Sequence, residues 1–328
     1  MGMLVNGQWT DAEAQGEYGK GADGAFHRID SVFRDRVTKD GSSGFKAEPG
    51  RYHIYASYNC PWAHRTLIFR SIKGLKDAIS VSHDIPNERT YGRTYGPDPR
   101  YPDCEPDTAN GFKYLYQAYA ATNPDYTGKV TVPTLWDKKE KRIVNNESSE
   151  IIRMLNSEFV GVAGNDKDFH PKELHAEIDE INTLVYHNIN NGVYKCGFAV
   201  TQAAYDAAFD ALFAALDTVE ERLSRQRYLA GSRITESDWR LLPTLLRFDQ
   251  SYFHVFKCNK KRIADYPNIL NYARELYQYP GVAETVRLRY YVLGYFSILR
   301  VNPNGIIPRG TPAPDFSLPH DRARFGAA

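Results

Sequence analysis

Hydrophobic and polar positions change their spacing once along this chain. Up to about residue 160, short runs rich in aromatic and β-branched residues predict strands at 51–57, 78–84, 130–136 and 142–146. Between them, helical spacing predicts helices at 62–70, near 111–122 and at 151–158. The order β-α-β followed by α-β-β-α predicts a small α/β sandwich with a mixed sheet over residues 51–160.

After Gly161 the strand signals disappear and apolar residues recur every three or four positions. The clearest run, residues 205–223, predicts an amphipathic helix. Thr235 and Asp238 have the spacing of a capping box and predict another helix start. We therefore expect an all-helical domain over residues 165–300 and a Pro- and Gly-rich tail over 301–328.

Residues 1–50 are rich in Gly, Asp and charge, and their weak periodicity predicts an extended N-terminal arm. The sequence GKGADG at residues 19–24 fits the pattern G-x-G-x-x-G. No strand is predicted before it and no amphipathic helix after it, so we expect a loop rather than a dinucleotide site.

Composition narrows the function classes. A net charge of +1 over 328 residues lacks the basic excess of a nucleic-acid-binding protein. No apolar run is long enough to cross a membrane, and the first residues lack the features of a signal peptide, so we expect a cytoplasmic protein. The four cysteines are widely spaced and the histidines do not cluster, so we expect neither a disulfide framework nor a metal site.

Cys60 is the main candidate for chemistry. It follows a predicted strand, and Pro61 suits the first position of the predicted helix, so Cys60 falls at or beside the N-cap. The helix dipole favours a thiolate there, and His64 and Arg65 add positive charge. Ala63 occupies the place of a second cysteine, so the natural intermediate is a mixed disulfide with a small external thiol. A buried structural cysteine is the alternative.

Two further segments fit a peptide-like thiol. Pro133 interrupts a predicted strand, and a cis bond there would present the backbone of Val132 to a ligand, although an ordinary edge proline is the alternative. Glu147 and Ser148 lie at a predicted strand-to-helix turn, which can receive a carboxylate and an ammonium group. A plain helix cap is the alternative there.

These motifs together resemble the glutathione transferase superfamily, and more closely its xi class, the glutathionyl-hydroquinone reductases. The resemblance covers about residues 50–325. It is carried by CPWAHR at 60–65, VTVPTLWD at 130–137, NES at 146–148, NGVYKCGFA at 191–199, FKCN at 256–259 and NPNGIIP at 302–308.

The resemblance implies a thioredoxin-like glutathione-binding domain, a helical glutathione transferase domain and a homodimer. It implies that Cys60 attacks the sulfur of an S-glutathionyl-hydroquinone, and that Tyr194 and Tyr295 act on the aromatic part. Glutathione is the implied co-substrate. The implied glutathione-binding residues are Trp62, Tyr91, Lys129, Val132, Pro133, Glu147 and Ser148.

The chain departs from the family at several positions. Residues 87–92 contain no tryptophan where the family usually packs one on glutathione, and Tyr91 is the expected substitute. Lys129 stands where an arginine is common, and Gly294-Tyr295-Phe296 replaces a His-Tyr-Tyr run. Two alternatives remain open: an omega-like thiol transferase or dehydroascorbate reductase, and a non-catalytic interaction module of the same fold.

Overall fold

The computed structural model describes residues 2–10, 21–86, 91–310 and 312–326. Gly19 and Lys20 of the glycine-rich sequence, and residues 87–90 of the loop without tryptophan, lie outside the described residues. The chain forms two compact units. An α/β unit contains the described residues up to 10 and Asp30–Lys167, and a helical unit contains residues 21–29 and the described residues from 168 onward.

The α/β unit contains short strands and three helices among its described residues. Their bounds are β1 Met3–Val5, β2 Gln8–Thr10, β3 Val37–Thr38, β4 Phe45–Lys46, β5 Tyr52–Ala56, α1 Pro61–Ile72, β6 Ile79–His83, α2 Leu115–Thr122, β7 Gly128–Lys129, β8 Thr134–Asp137, β9 Arg142–Asn145 and α3 Ser148–Ser157. The main sheet has the order β6-β5-β8-β9. β5 is parallel to β6 and antiparallel to β8, so the predicted mixed sheet is confirmed.

The central strand β5 is buried at every position, which explains why its sequence YHIYA shows little polar alternation. Helix α1 packs against α3. Cys60 lies in the short connection between the end of β5 and the start of α1.

The strand expected at residues 130–136 begins only at Thr134. The amide of Thr131 donates to the hydroxyl of Tyr119 at 3.1 Å instead of to a neighbouring strand, and Pro133 has no N–H to donate. The ladder with β5 therefore starts after the proline. β7, just before this segment, pairs with β1 in a separate sheet.

The helical unit confirms the all-α prediction for the second half of the chain. Its helices are α4 His175–Leu184, α5 Gly192–Phe198, α6 Gln202–Arg225, α7 Glu236–Arg247, α8 Phe253–Val255, α9 Pro267–Gln278 and α10 Leu288–Phe296, with π-helical segments at Val185–Asn190 and Phe248–Tyr252. The capping box at Thr235 is present: its amide donates to the carboxylate of Asp238 at 2.7 Å.

Residues 21–29, which we call the strap, pack on the helical unit. The amide of Val200 donates to the carbonyl of Gly24 at 3.0 Å, and Arg28 Nε donates to Asn191 Oδ1 at 2.6 Å. Gly24 has φ +81°, and a Cβ there would lie 2.6 Å from the side chain of Thr201. A glycine is needed at this close approach. The described part of the N-terminal arm is therefore divided between the two units.

Candidate active site

Cys60 is the N-cap of α1. Its backbone is extended (φ −82°, ψ 118°), its carbonyl accepts the amide of His64 at 3.0 Å, and Pro61 occupies the first helical turn. The side chain is 8% exposed. The structure thus places the thiol at the positive end of a twelve-residue helix dipole, where a thiolate is stabilised.

The backbone of Val132 lies beside this thiol. Cys60 Sγ donates to the Val132 carbonyl at 3.6 Å, and the Val132–Pro133 peptide bond is cis. Two segments that are 72 residues apart in sequence are therefore in contact. A ligand whose sulfur approaches Cys60 would meet the Val132 backbone, which is the arrangement that a peptide-like thiol requires.

Arg65 links Cys60's helix to the start of α3. Its Nη1 donates to Ser148 Oγ at 3.4 Å, and its guanidinium lies 4.5 Å from the centre of the Trp62 ring. Arg65 is 1% exposed. The positive charge predicted for Arg65 therefore lies against Ser148 and Trp62, and its contacts help to hold these two candidate residues in place.

Glu147 is the N-cap of α3, as the helix-cap alternative predicted. Its carboxylate accepts the amide and the hydroxyl of Ser149 at 3.1 and 2.9 Å, and the hydroxyl of Ser31 at 3.1 Å. A carboxylate offers about four acceptor positions, so an ammonium group can still bind to it. The cap role and the ligand role are therefore compatible.

Arg93 is a charged residue near Cys60 that sequence reasoning missed. Its Nη1 pairs with Asp84 Oδ2 at 2.6 Å. Burial lowers the pKa of Arg93, but the charges of Asp84 and Cys60 outweigh that effect and raise it overall. Arg93 is placed by non-local backbone pairing, in which its carbonyl accepts the amide of Leu115 at 2.9 Å. No local sequence signal marks it.

The two other residues expected to bind glutathione lie elsewhere in the α/β unit. Lys129 is half-buried in β7, where its carbonyl accepts the Tyr126 hydroxyl at 2.9 Å. Tyr91 is 48% exposed and its ring centre lies 5.2 Å from that of Tyr114. These two contacts place Lys129 beside Tyr126 and Tyr91 beside Tyr114.

Tyr194 and Tyr295, the predicted tyrosine pair, meet in the helical unit. Their hydroxyl oxygens are 2.7 Å apart, and Tyr252 Oη lies 2.7 Å from Tyr295 Oη. Tyr252 was not identified from the sequence, because it lies in a π-helical segment that carries no recognisable motif. We call Tyr194, Tyr252 and Tyr295 the phenol cluster.

Two members of the phenol cluster, Tyr252 and Tyr295, are buried. Burial, and then the neighbouring phenols, raise the pKa values of Tyr252 and Tyr295 well above the ordinary value. The charge of the buried Arg247 opposes this rise in both residues. At neutral pH these phenols are therefore protonated, and they can donate hydrogen bonds or a proton.

Two negative findings concern the described residues only. No helix in this part of the chain is long and apolar enough to cross a membrane. Within the same residues, no group of three or more His, Cys, Asp or Glu side chains is close enough together to hold a metal ion.

Comparisons with known proteins agree with this geometry. The family model "Glutathione S-transferase, N-terminal domain" matches residues 59–158, and "Glutathione S-transferase, C-terminal domain" matches residues 202–275. A xi-class glutathione transferase from Natrialba magadii is 42% identical, with a TM-score of 0.91 over 100% of this chain and 98% of that structure. This chain is a xi-class glutathione transferase.

Two relatives of known name match nearly the whole chain of this transferase. Glutathionyl-hydroquinone reductase PcpF of Sphingobium chlorophenolicum is 49% identical over 96% of this chain and 97% of that protein. Glutathionyl-hydroquinone reductase YqjG of Escherichia coli is 46% identical over 99% of this chain and 100% of that protein. The glutathione-bound structure of YqjG has a TM-score of 0.88 and covers 98% of this chain and 99% of that structure.

Proposed function

We propose that this transferase reduces S-glutathionyl-hydroquinones to hydroquinones, with Cys60 as the nucleophile. The observation that carries the proposal is the thiol at the N-cap of α1, 3.6 Å from the Val132 carbonyl. The names of PcpF and YqjG support the substrate class. Residue 63 is Ala, so an external thiol must resolve the intermediate.

In the first step the Cys60 thiolate attacks the sulfur of the glutathionyl group. A sulfur–sulfur bond forms, the aryl carbon–sulfur bond breaks, and its electron pair goes to the aryl carbon, which takes up a proton. The hydroquinone leaves. In the second step the thiolate of another glutathione attacks the mixed disulfide, oxidised glutathione leaves, and the Cys60 thiolate is regenerated.

Glutathione binds, in this proposal, along the edge of the α/β unit. The backbone at Val132 and Pro133 pairs with its peptide-like part. The start of α3 at Ser148 receives a carboxylate, and Glu147 accepts the α-ammonium group. Trp62, Tyr91 and Lys129 complete the proposed contacts. The contacts of Val132, Glu147 and Ser148 in the structure support these roles, together with the resemblance to the family.

The phenol cluster assists the departure of the aromatic part. An aryl carbon is a poor leaving group until it is protonated or its ring oxygens are held by hydrogen-bond donors. The raised pKa values of Tyr252 and Tyr295 keep both phenols protonated. We therefore assign hydrogen bonding and proton donation to Tyr194 and Tyr295, with Tyr252 as the hydrogen-bonding partner of Tyr295.

Comparing kcat/KM for glutathionyl-menadiol with kcat/KM for a glutathione mixed disulfide of a small alkyl thiol tests this function. We expect the hydroquinone conjugate to be preferred by about tenfold or more, because the phenol cluster assists the departure of its aromatic part and gives no such help to an alkyl thiol. An omega-like thiol transferase would show the opposite preference, and an interaction module would turn over neither compound. Either result would contradict the proposal.

Cys60→Ser should abolish turnover of both compounds, with a loss of about 10³-fold or more. Cys104→Ser is the matched control, because Cys104 is a buried thiol of the same unit that donates to the carbonyl of Asp84. Incubation with oxidised glutathione should add one glutathione to the wild-type mass, and none in the Cys60→Ser variant.

The proposal includes a homodimer and a cytoplasmic location. A reducing compartment suits the cycle, because Cys60 must return to its thiol after every turnover. Light scattering of the purified protein tests the dimer, since a monomeric mass at working concentration would contradict it.

A further inference from the structure

Two buried cysteines that the reaction at Cys60 does not use lie next to each other in the helical unit. Cys196 is in α5 and is 2% exposed; Cys258 follows α8 and is fully buried. They are 62 positions apart in sequence. Burial raises the pKa of the Cys258 thiol well above its ordinary value, and a hydrogen bond that this thiol shares with the neighbouring Cys196 raises it further.

The packing around the two thiols explains their proximity. A Cβ at Gly197 would lie 2.3 Å from the ring of Phe256, so only glycine lets this ring lie directly on α5. The Phe198 and Phe256 ring centres are 5.2 Å apart. The Tyr205 hydroxyl donates to the carbonyl of Lys257 at 2.7 Å. The first two contacts hold Phe256 against α5, and the third ties residue 257 to α6.

The backbone beside Cys258 has an unusual conformation. Lys257 adopts φ +59°, a left-handed conformation that is uncommon for residues other than glycine. The amide of Cys258 then donates to the carbonyl of Tyr252 at 3.1 Å, and its Sγ donates to the carbonyl of Phe256 at 3.8 Å. The segment therefore turns Cys258 inward, toward α5, and holds it there.

We propose that Cys196 and Cys258 form a reversible dithiol–disulfide pair that, when oxidised, ties α5 to residues 256–258. The oxidant is hydrogen peroxide, which is small enough to enter a closed site. One thiol gives two electrons to the peroxide oxygen–oxygen bond and becomes a sulfenic acid, with release of water. The sulfur of the second thiol displaces the hydroxyl group, which leaves as a second water. Two glutathione thiols reverse the bond by exchange.

The bond would act on the surroundings of the phenol cluster. The Phe256 ring lies 5.5 Å from the rings of Tyr194, Tyr252 and Tyr295 alike. A bond between Cys196 and Cys258 fixes the segment that carries this ring against the helix that carries Tyr194. The helical unit thus has its own thiol chemistry, distinct from the mixed disulfide at Cys60.

The decisive experiment uses a full-length Cys60→Ala/Cys104→Ala variant, whose remaining cysteines are Cys196 and Cys258. The protein is treated with hydrogen peroxide, unfolded, alkylated and weighed. We expect loss of both alkylation sites, a mass lower by two hydrogen atoms, and recovery of both sites after dithiothreitol. Bond formation should accelerate about tenfold between pH 7 and pH 8, because the attacking sulfur must be a thiolate.

Adding Cys258→Ala to this variant provides the matched control, which should form no intramolecular bond. If the double variant does not fold, peptide mapping of the oxidised wild-type protein should yield a linked peptide that contains Cys196 and Cys258. The proposal is overturned if both thiols remain open to alkylation after peroxide treatment. It is also overturned if each is oxidised separately to a sulfinic acid, or if either is linked to Cys60 or Cys104.

Discussion

At the scale of single residues, the chemistry depends on groups whose charge is set by their neighbours. Cys60 lies at a helix N-terminus and near the charge of Arg93, whereas Tyr252 and Tyr295 are kept neutral by burial. Positive charge near a thiol favours a nucleophile, whereas burial of a phenol favours a proton donor. Each role can be tested by removing one atom or one charge.

Tyr295→Phe removes the hydroxyl that contacts both Tyr194 and Tyr252. We expect kcat for glutathionyl-menadiol to fall by about 100-fold, because acid assistance is lost, while turnover of the alkyl mixed disulfide stays within about twofold. Tyr290→Phe, a buried tyrosine of the same helix, should leave both rates nearly unchanged. Equal losses on both substrates in Tyr295→Phe would indicate a structural role instead.

Arg93→Met should slow alkylation of Cys60 by iodoacetamide at pH 7 by about threefold to tenfold, because a nearby positive charge favours the thiolate. The single change also leaves Asp84 buried without its partner, which lowers stability. The Arg93→Met/Asp84→Asn double variant separates the two effects. It should recover thermal stability and remain slow to alkylate; recovery of the alkylation rate would refute the role of this charge.

At the scale of elements, α3 shows how one side chain can serve both helix and ligand. Glu147 caps the helix through its contact with the Ser149 amide, and in our proposal it also accepts the glutathione ammonium group. Glu147→Ala should lower the free energy of unfolding by about 1 kcal/mol, because the cap is lost. Chemical denaturation measures this change.

Glu147→Gln separates the two roles, since an amide oxygen can still accept the Ser149 N–H but carries no charge. We expect its stability to lie within about 0.5 kcal/mol of the wild type and its KM for glutathione to rise by about tenfold, as for a lost charge-assisted hydrogen bond. An unchanged KM would leave Glu147 with the cap role alone.

Elements with a strong local pattern could be predicted from the sequence. β5, α1, α6 and the capping box of α7 were expected, because their spacing or end signals lie within one short segment. The pairing of β1 with β7 was not expected, since its strands are only two or three residues long and Met3 pairs with Lys129 far along the chain. Such short strands acquire their conformation from their partner.

The candidate site divides in the same way. Cys60, Pro133 and Glu147 occur in segments whose residue types predict a helix start or a strand break. Arg93 and Tyr252 do not, because their significance depends on non-local neighbours: Asp84 and Cys60 for the first, Tyr295 for the second. A sequence pattern can identify the proposed nucleophile, but the contacts of Arg93 and of Tyr252 are evident only from the fold.

At the scale of the whole molecule, a buried histidine in one unit and a buried aspartate in the other should change the free energy of unfolding in opposite directions as the pH falls. Burial lowers the pKa of His53 in the α/β unit to about 4. Its contribution to stability is present above about pH 6.5 and is lost as the pH falls toward 4, because only the unfolded chain then takes up the proton. Burial raises the pKa of Asp249 in the helical unit to about 6. Asp249 therefore stabilises that unit as the pH falls from 6 toward 4, because only the folded chain then takes up the proton.

A change of about two in the pKa of one group on folding corresponds to as much as about 3 kcal/mol in the free energy of unfolding. Hydrogen exchange, corrected for the intrinsic pH dependence of the rate, should show lower protection in β5 and higher protection in α7 at pH 4.5 than at pH 6.5. The variant His53→Gln should flatten the response of β5 and leave that of α7 unchanged. A parallel change in both units would contradict this assignment.

The strap has a consequence for how the chain is made. Arg28 and its partner Asn191 are 163 residues apart, so the strap leaves the ribosome long before its binding surface exists. At about 5–20 residues per second, the interval is roughly 10–30 s. During that time the α/β unit is synthesised in full, and the strap cannot yet form its contacts with the helical unit. The strap consists mainly of small and polar residues, with Phe26 and Ile29 as its large apolar side chains, and this composition suits a segment that stays in water until its partner has been made.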